Sequence, residues 1–206
     1  MASTSLFFLR HGQTDYNKQG IVQGGGVDSD LNSTGIKQAN AFFQYYQHIE
    51  FDKVYCSTLK RTQQTLGPWK QKGYVFEEAE GLKELGWGVH EGRIPTAQQR
   101  ADFLEIRNRW AQGELDLRVE AGESPREGWN RGYKFIEKVY EMHKGERLLI
   151  CSHGRQLRIL LSGLLDGDVS KMDLYEQPNT GLHVLEMKDP KDFRVHTLSD
   201  VRHLGS

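Results

Sequence analysis

The sequence predicts an α/β fold: one three-layer α/β/α domain with a mostly parallel central sheet and helices on both faces. Three observations predict it. Short apolar runs at 6–9, 54–56 and 148–151 alternate with segments of helical spacing, as strand–helix–strand units with a covered parallel sheet do. Two of those runs end in a His-Gly pair, His11-Gly12 and His153-Gly154, and parallel α/β sheets bind ligands at the carboxyl ends of their strands. The chain of 206 residues suffices for one sizeable core, with no repeat, low-complexity tract or linker to divide it. Residues 1–206 are therefore read as a single domain, with residues 77–125, the least sheet-like stretch, as a helical excursion over the active edge.

Each element has a local reason. A strand is expected at 5–10. Residues 11–33 are polar and glycine-rich around Gly24-Gly25-Gly26 and read as one loop, a length that in a compact domain usually signals function. Ile36, Ala39, Phe42, Phe43 and Tyr46 recur at helical spacing and predict a helix over 34–48. A short strand follows at 54–56. Ser57 or Thr58 is placed to cap the next helix, which holds Arg61 in its first turn. Pro68 ends or bends that helix. Val75 and Phe76 read as a third strand, and 81–93 is a Gly/Trp-rich segment before helical patterning resumes at 96–112. Ser124-Pro125-Arg126-Glu127 combines a serine cap, a proline at the first helical position and a capping-box glutamate, so a helix should run to about 143. A strand at 147–152 leads into an apolar helix at 154–165, closed near Gly167. Two later strands are expected near 181–187 and 193–198.

Composition narrows the partners. The formal net charge is -1, so a broad basic surface for nucleic acid is not expected, and any anion site must come from local clustering. No run approaches the roughly 18 apolar residues of a membrane span, and the start lacks the pattern of a signal peptide. A cytoplasmic protein with no membrane contact is the expectation. The two cysteines, Cys56 and Cys151, lie in or at the end of predicted buried strands and read as small buried hydrophobes. Neither a C-x-x-C pair nor Cys/His ligand spacing points to a metal.

Two imidazoles at strand exits, the first beside Arg10, suggest a site for a phosphate-like anion. A phosphomonoester dianion must be neutralised, attacked in line and its leaving oxygen protonated. Arginine forks suit phosphoryl oxygens, and Arg10 and Arg61 both fall near the carboxyl edge. A neutral imidazole is a competent nucleophile towards phosphorus. Only one of the two histidines can be attacked, and the other can donate a hydrogen bond. His153 also heads a helix whose free N–H groups favour anions. Without a metal, a carboxyl group must handle the leaving-group proton, and Glu84, in an irregular segment, is the best candidate. Each residue also has an ordinary structural reading: a satisfied strand-end histidine, a salt-bridged arginine, a turn glutamate. Their arrangement at successive strand exits favours the site.

These residues carry a resemblance. Leu9-Arg10-His11-Gly12-Gln13-Thr14 followed by Asn17 resembles the R-H-G signature of the histidine phosphatase superfamily, phosphoglycerate mutase-like branch. The segments 30–39, Ser57-Thr58-Leu59-Lys60-Arg61-Thr62, Leu82-Lys83-Glu84-Leu85-Gly86 with Glu91-Gly92, Gly122-Glu123-Ser124, Ser152-His153-Gly154 and 200–204 are similar to that branch in the same order. The resemblance covers most of the chain. It implies that His11 is the phosphorylated nucleophile, that Arg10, Arg61 and His153 form the phosphate pocket, and that Glu84 is the general acid and then the base for water. Asn17 and Gln23 would line the phosphate or substrate site, with Thr14 and Gly154 beside them. No metal and no cofactor are implied. Gln13 stands where glutamate is commoner. His90 stands where related chains often have an aromatic residue, so it is either a more polar pocket wall or an exposed side chain. Trp87 and Trp129 are candidates for the pocket wall or the core.

Mutase and phosphatase share the phosphohistidine. A mutase must also exclude water and grip the glycerate carboxylate with additional basic residues. Arg93, Arg100, Arg107 and Arg109 lie after Glu84 but are spread along a helical pattern with Asp102 and Glu105, which reads as a solvated face. Leu85 stands where mutases have arginine. A metal-independent phosphatase acting on a small phosphorylated metabolite is therefore expected. A cofactor-dependent phosphoglycerate mutase and a catalytically idle phospho-ligand-binding module are the alternatives. A homodimer is the assembly considered. The walls around 21–27 and 87–129 set the choice of ester.

Overall fold

The computed structural model describes residues 3–205. One six-stranded sheet runs in the order β3-β2-β4-β1-β5-β6. Its strands are β1 (Thr4–Arg10), β2 (Lys53–Cys56), β3 (Phe76–Glu78), β4 (Arg147–Ser152), β5 (Leu182–Asp189) and β6 (Asp192–Asp200). The first four are mutually parallel, and β5 and β6 add an antiparallel edge.

Both faces of the sheet are covered, which is why β4 reads as an unbroken apolar run. Leu148, Leu149, Ile150 and Cys151 are all fully buried. Because side chains alternate along a strand, consecutive residues enter different cores. Leu6, Phe8, Leu148 and Ile150 pack under α6 (Pro125–Met142) and α7 (Gly154–Asp166), against Ile136, Val139 and Leu157. Leu9, Val54, Leu149 and Cys151 pack under α2 (Ser33–Tyr46), against Phe42, Leu66 and Trp69. Truncating a side chain such as Leu149 to alanine in this setting costs about 2–5 kcal/mol.

The helix signals are borne out at α6 and α7. Ser124 and Glu127 form the reciprocal capping box with Pro125 in the first turn, and α7 ends at Gly167 with φ +66°. Several local expectations are corrected. The loop at 11–33 contains a short helix, α1 (Asp15–Gln19), capped by Thr14 and Asn17. It buries no side chain, so it left no apolar period to find. Helix α2 starts one residue early, with Asn32 as its cap. Neither Ser57 nor Thr58 caps α3 (Lys60–Thr65); Leu59 precedes it with no side-chain cap. The chain is still bound to the sheet there, with the Ser57 N–H donating to the Cys151 carbonyl at 3.1 Å. Pro68 does mark a break, since it stands in the first turn of a separate helix, α4 (Gly67–Gln71). Val75 is 81 % exposed and lies outside β3.

Residues 77–125 start inside β3 and continue through two 3-10 turns, Glu80–Leu82 and Gly88–His90, to α5 (Ala97–Ala111). The buried Ile106 and Trp110 of α5 join Leu85, Trp87, Ile159 and Met172 in a third cluster. This apolar cluster anchors α5 on Ile159 of α7. Among the described residues no helix is long and apolar enough to cross a membrane.

Candidate active site

The register of β1 and β4 builds the site. Arg10 pairs with Ser152, so the next residue on one strand and on the other, His11 and His153, emerge together at the carboxyl edge. Their ring centroids are 5.1 Å apart, at an interplanar angle of 58°. The His11 N–H continues the ladder to the Ser152 carbonyl at 3.0 Å. Its own carbonyl accepts from Asn179 Nδ2 at 3.1 Å. The turn after it packs directly on α2: a Cβ on Gly35 would lie 2.1 Å from the Gln13 carbonyl oxygen, and one on Gly12 would lie 2.7 Å from the Gly35 oxygen. Two glycines therefore permit the backbone approach that places the His11 turn.

Hydrogen bonds set opposite tautomers on the two histidines. His11 Nδ1 lies 2.7 Å from the Gly12 carbonyl. A carbonyl only accepts, so Nδ1 carries the proton and Nε2 keeps its lone pair. Arg61 Nε lies 3.1 Å from His153 Nδ1. A guanidinium only donates, so that nitrogen is unprotonated and the proton sits on Nε2. His153 Nε2 is buried with no partner among the described residues. Burial holds both imidazoles well below the ordinary histidine range. The Arg61 and Arg10 charges push His11 further down, and Arg61 is the largest charge acting on His153. Both are neutral at pH 7.

The arginines divide their work. Arg10 Nε is buried and unpartnered among the described residues, while its NH1 donates to the Gln177 carbonyl. Burial lowers its pKa to about 10, against the pull of Glu84. A buried cation with an idle donor favours an anion beside it. Arg61 is fully buried behind His153. Besides His153 it donates to the Val27 carbonyl at 2.6 Å and the Gly24 carbonyl at 3.4 Å. Its nitrogens thus brace the glycine-rich loop and orient His153.

Glu84 docks on the N-terminus of α7. Its Oε1 accepts from the Leu85 and Gln156 N–H groups, each at 2.9 Å, and its Oε2 accepts from the Arg155 N–H at 3.2 Å. The Arg155 and Gln156 N–H groups are free donors of a helix start, where an acidic side chain is well placed. Gly154 lets that helix start close on Arg10: a Cβ there would meet Arg10 Nε at 3.3 Å.

A cavity of about 250 Å³ opens over these groups. Of the residues singled out from sequence, Arg10, His11, Asn17, Gln23, Glu84, Trp87 and Gly154 line it. Arg61, His153 and Thr14 are fully buried and are not among its lining residues, with the His153 ring beside that of His11. Thr14 is fully buried, and its hydroxyl accepts from the Asn17 N–H at 3.1 Å and from Gln23 Nε2 at 2.6 Å. It holds the two lining amides in place and has no face on the cavity. Trp87 is both wall and core, its ring tilted against Phe103 at 4.7 Å and beside Trp110 at 5.4 Å. Trp129 stacks on Tyr133 at 4.9 Å and packs against Gly163, in the core. His90 lines an adjoining cavity, separated from the first by Val22 and Phe103.

Val22 and Phe103 line the site cavity from the walls expected around 21–27 and 87–129, and three further lining residues were not singled out from sequence: Arg155, Arg158 and Gln177. Arg155 and Arg158 had a signal, since they share one face of a helix that opens at His153. Gln177 had none. The solvated-face reading of the α5 arginines fails at Arg107, which donates to Asp173 from Nε and NH2 at 3.1 and 2.8 Å. It holds for Arg109, paired with Glu114 at the surface. Among the described residues no three His, Cys, Asp or Glu side chains gather as a metal-binding group.

Comparison with known proteins finds relatives along nearly the whole chain. A sequence model of the histidine phosphatase superfamily (branch 1) matches residues 6–201. A broad-specificity phosphatase of Saccharomyces cerevisiae is 32% identical over 213 residues, covering 97% of this chain and 87% of its own. A metal-independent phosphoserine phosphatase of Arabidopsis thaliana is 30% identical over 207 residues, covering 98% and 84%. A Bacillus stearothermophilus structure superposes with a TM-score of 0.85 at 25% identity, covering 98% and 99%.

Proposed function

The chain belongs to the histidine phosphatase superfamily and is a phosphatase, and from that premise we propose that it works by transferring the phosphoryl group of a small monoester to His11 Nε2 and then to water. The observation that carries this assignment is the pair of opposite tautomers. His11 presents a lone pair and His153 presents an N–H, so only one of the two is built to attack.

The phosphoryl oxygens meet Arg10 Nε and His153 Nε2–H, buried donors beside His11 that have no partners among the described residues. Both are in place before substrate arrives, so they stabilise the charge of the transition state without reorganising. The P–N bond to His11 forms as the bond to the leaving oxygen breaks. Glu84 delivers a proton to that oxygen and, in the second step, takes one from the water that attacks phosphorus. Cleavage of the P–N bond then returns neutral His11 and inorganic phosphate.

Hydrolysis is favoured over mutation by the same residues. Leu85 follows Glu84, and Arg107 and Arg109 of α5 are already committed to Asp173 and Glu114. The relatives named for broad specificity and for phosphoserine support small monoesters as the substrate class. Rapid-quench labelling with a 32P-phosphomonoester tests the reading. The wild type should trap one acid-labile, base-stable phosphoryl group, and H11A should trap none. Wild-type turnover by H11A would sink the mechanism.

A further inference from the structure

One wall of the cavity carries more positive charge than the phosphoryl group uses. Arg155 and Arg158 stand three residues apart near the start of α7 and both line the cavity. With Arg107 they converge on a single carboxylate. Arg155 NH1 lies 2.6 Å from Asp173 Oδ1, Arg158 NH1 3.6 Å from the same oxygen, and Arg107 NH2 2.8 Å from Oδ2. Three guanidinium groups therefore share one negative side chain. Glu176 is the next acid felt by Arg158 and forms no ion pair with it among the described residues. Burial and the Arg155 and Arg107 charges all disfavour the Arg158 cation, with Asp173 and Glu176 opposing. The arrangement lacks an anion. Arg155 is also held in place, its guanidinium 5.9 Å from the Trp87 ring and 6.0 Å from that of Trp110.

Gln177 supplies a second, independent observation. The Ser199 N–H donates to His183 Nδ1 at 3.2 Å, so the His183 proton sits on Nε2. That nitrogen lies 2.9 Å from Gln177 Oε1 and donates to it. The relay orients the Gln177 amide and leaves its Nε2 as the free end. Gln177 is only 6 % exposed, lines the cavity, and its Nε2 has no partner among the described residues. A buried donor held this way calls for an acceptor from whatever fills the cavity.

We propose that Arg155, Arg158 and Gln177 form a second anion subsite, which binds an acidic group on the leaving-group side of the substrate. The preferred esters then carry a carboxylate or a second phosphate in addition to the phosphoryl group that is removed. This rests on the phosphatase reading above and names the substrate class of the same cavity.

Steady-state kinetics on matched pairs test it. 3-Phosphoglycerate and glycerol 3-phosphate differ in a carboxylate, as do O-phosphoserine and O-phosphoethanolamine; fructose 1,6-bisphosphate and fructose 6-phosphate differ in a phosphate. The wild type should show kcat/KM at least about tenfold higher for the acidic member of a pair, because a site with unpaired buried donors rejects the analogue that lacks the acceptor. A preference confined to the carboxylate pairs identifies a carboxylate subsite, and one confined to the bisphosphate pair identifies a phosphate subsite. In R155Q, R158Q and Q177L the ratio should fall towards one, and in R158K part of it should return. Equal kcat/KM within every pair for the wild type, which needs no variant to fold, overturns the subsite. So does an unchanged ratio in all three variants. Turnover of p-nitrophenyl phosphate and labelling of His11 report separately on the phosphatase reading: if both persist while the pairs are treated alike, only the subsite falls.

Discussion

Arg61 donates from Nε to His153 Nδ1 at 3.1 Å, across 92 residues of sequence, and that bond places the His153 proton on Nε2, the nitrogen with no partner among the described residues. It also puts a permanent positive charge beside two neutral imidazoles.

Replacing Arg61 should therefore act through His153 and through charge. R61M leaves the His153 tautomer unset and should lower kcat about 10²–10³-fold, the scale of losing one oriented transition-state donor. The pH profile adds a readout that loss of packing does not imitate. His11 must be neutral to attack, and its depressed pKa puts the acid limb of kcat/KM well below pH 6.5. Removing the Arg61 charge raises that pKa, so the limb should move to higher pH. A limb that stays in place would remove Arg61 from the electrostatics of the site.

Glu84→Gln keeps one side-chain oxygen for the Leu85 and Gln156 N–H groups, which both donate to Oε1, and gives up only the longer bond from the Arg155 N–H at 3.2 Å, so the start of α7 stays docked. Loss of the carboxyl proton should cost about 10²–10⁴-fold on alkyl phosphates, the usual range for a general acid. It should cost far less on p-nitrophenyl phosphate, whose leaving group needs no proton. Equal losses on both esters would exclude Glu84 as the acid.

Gly35→Ala places a methyl 2.1 Å from the Gln13 carbonyl oxygen, a backbone contact that no rotamer relieves. The turn carrying His11 must shift away from α2. Overpacking of this kind costs about 1–3 kcal/mol, which urea unfolding reads as a lower midpoint, and kcat should fall with it. Unchanged stability and turnover together would show that the two backbones are not in contact.

Ser124→Ala separates stability from catalysis. It removes the hydroxyl that accepts from the Glu127 N–H at the start of α6, at a cost of about 1 kcal/mol. Ser124 does not line the cavity, so kcat/KM should hold while the unfolding midpoint drops. An undiminished midpoint would remove the cap from the stability of α6.

Acid should unfold the protein through its buried histidines. Burial takes His183 from 6.5 to about 4 and holds His11 and His153 well below their ordinary value. The unfolded chain then binds more protons than the folded one below pH 6.5, so stability rises with pH in that window and falls as pH drops towards 4. Urea midpoints measured from pH 7 to 4.5 should decline, and H183N should flatten the slope. A midpoint that does not fall over that range would contradict the burial of these groups.

The local patterns in the sequence account for most of the architecture. An apolar run such as 148–151 is buried on both faces, and that alone determines a central strand. The Ser124, Pro125 and Glu127 cap is a contact between residues three apart, so α6 could be placed from sequence. The missed pieces are those with no local signature. Helix α1 buries nothing, and the start of α3 is set by a sheet bond from Ser57 to Cys151 rather than by its own cap.

The sequence by itself determined the layers of the fold and the delivery of His11 and His153 to one edge, because strand period and strand-exit position are properties of neighbouring residues. Only the tertiary structure decided which imidazole holds the lone pair, that Arg61 stands behind His153 and Thr14 behind Asn17, and that Arg155, Arg158 and Gln177 face the cavity. Each of those depends on a hydrogen bond or a wall between segments distant along the chain, and hydrophobic spacing carries no information about where such partners meet.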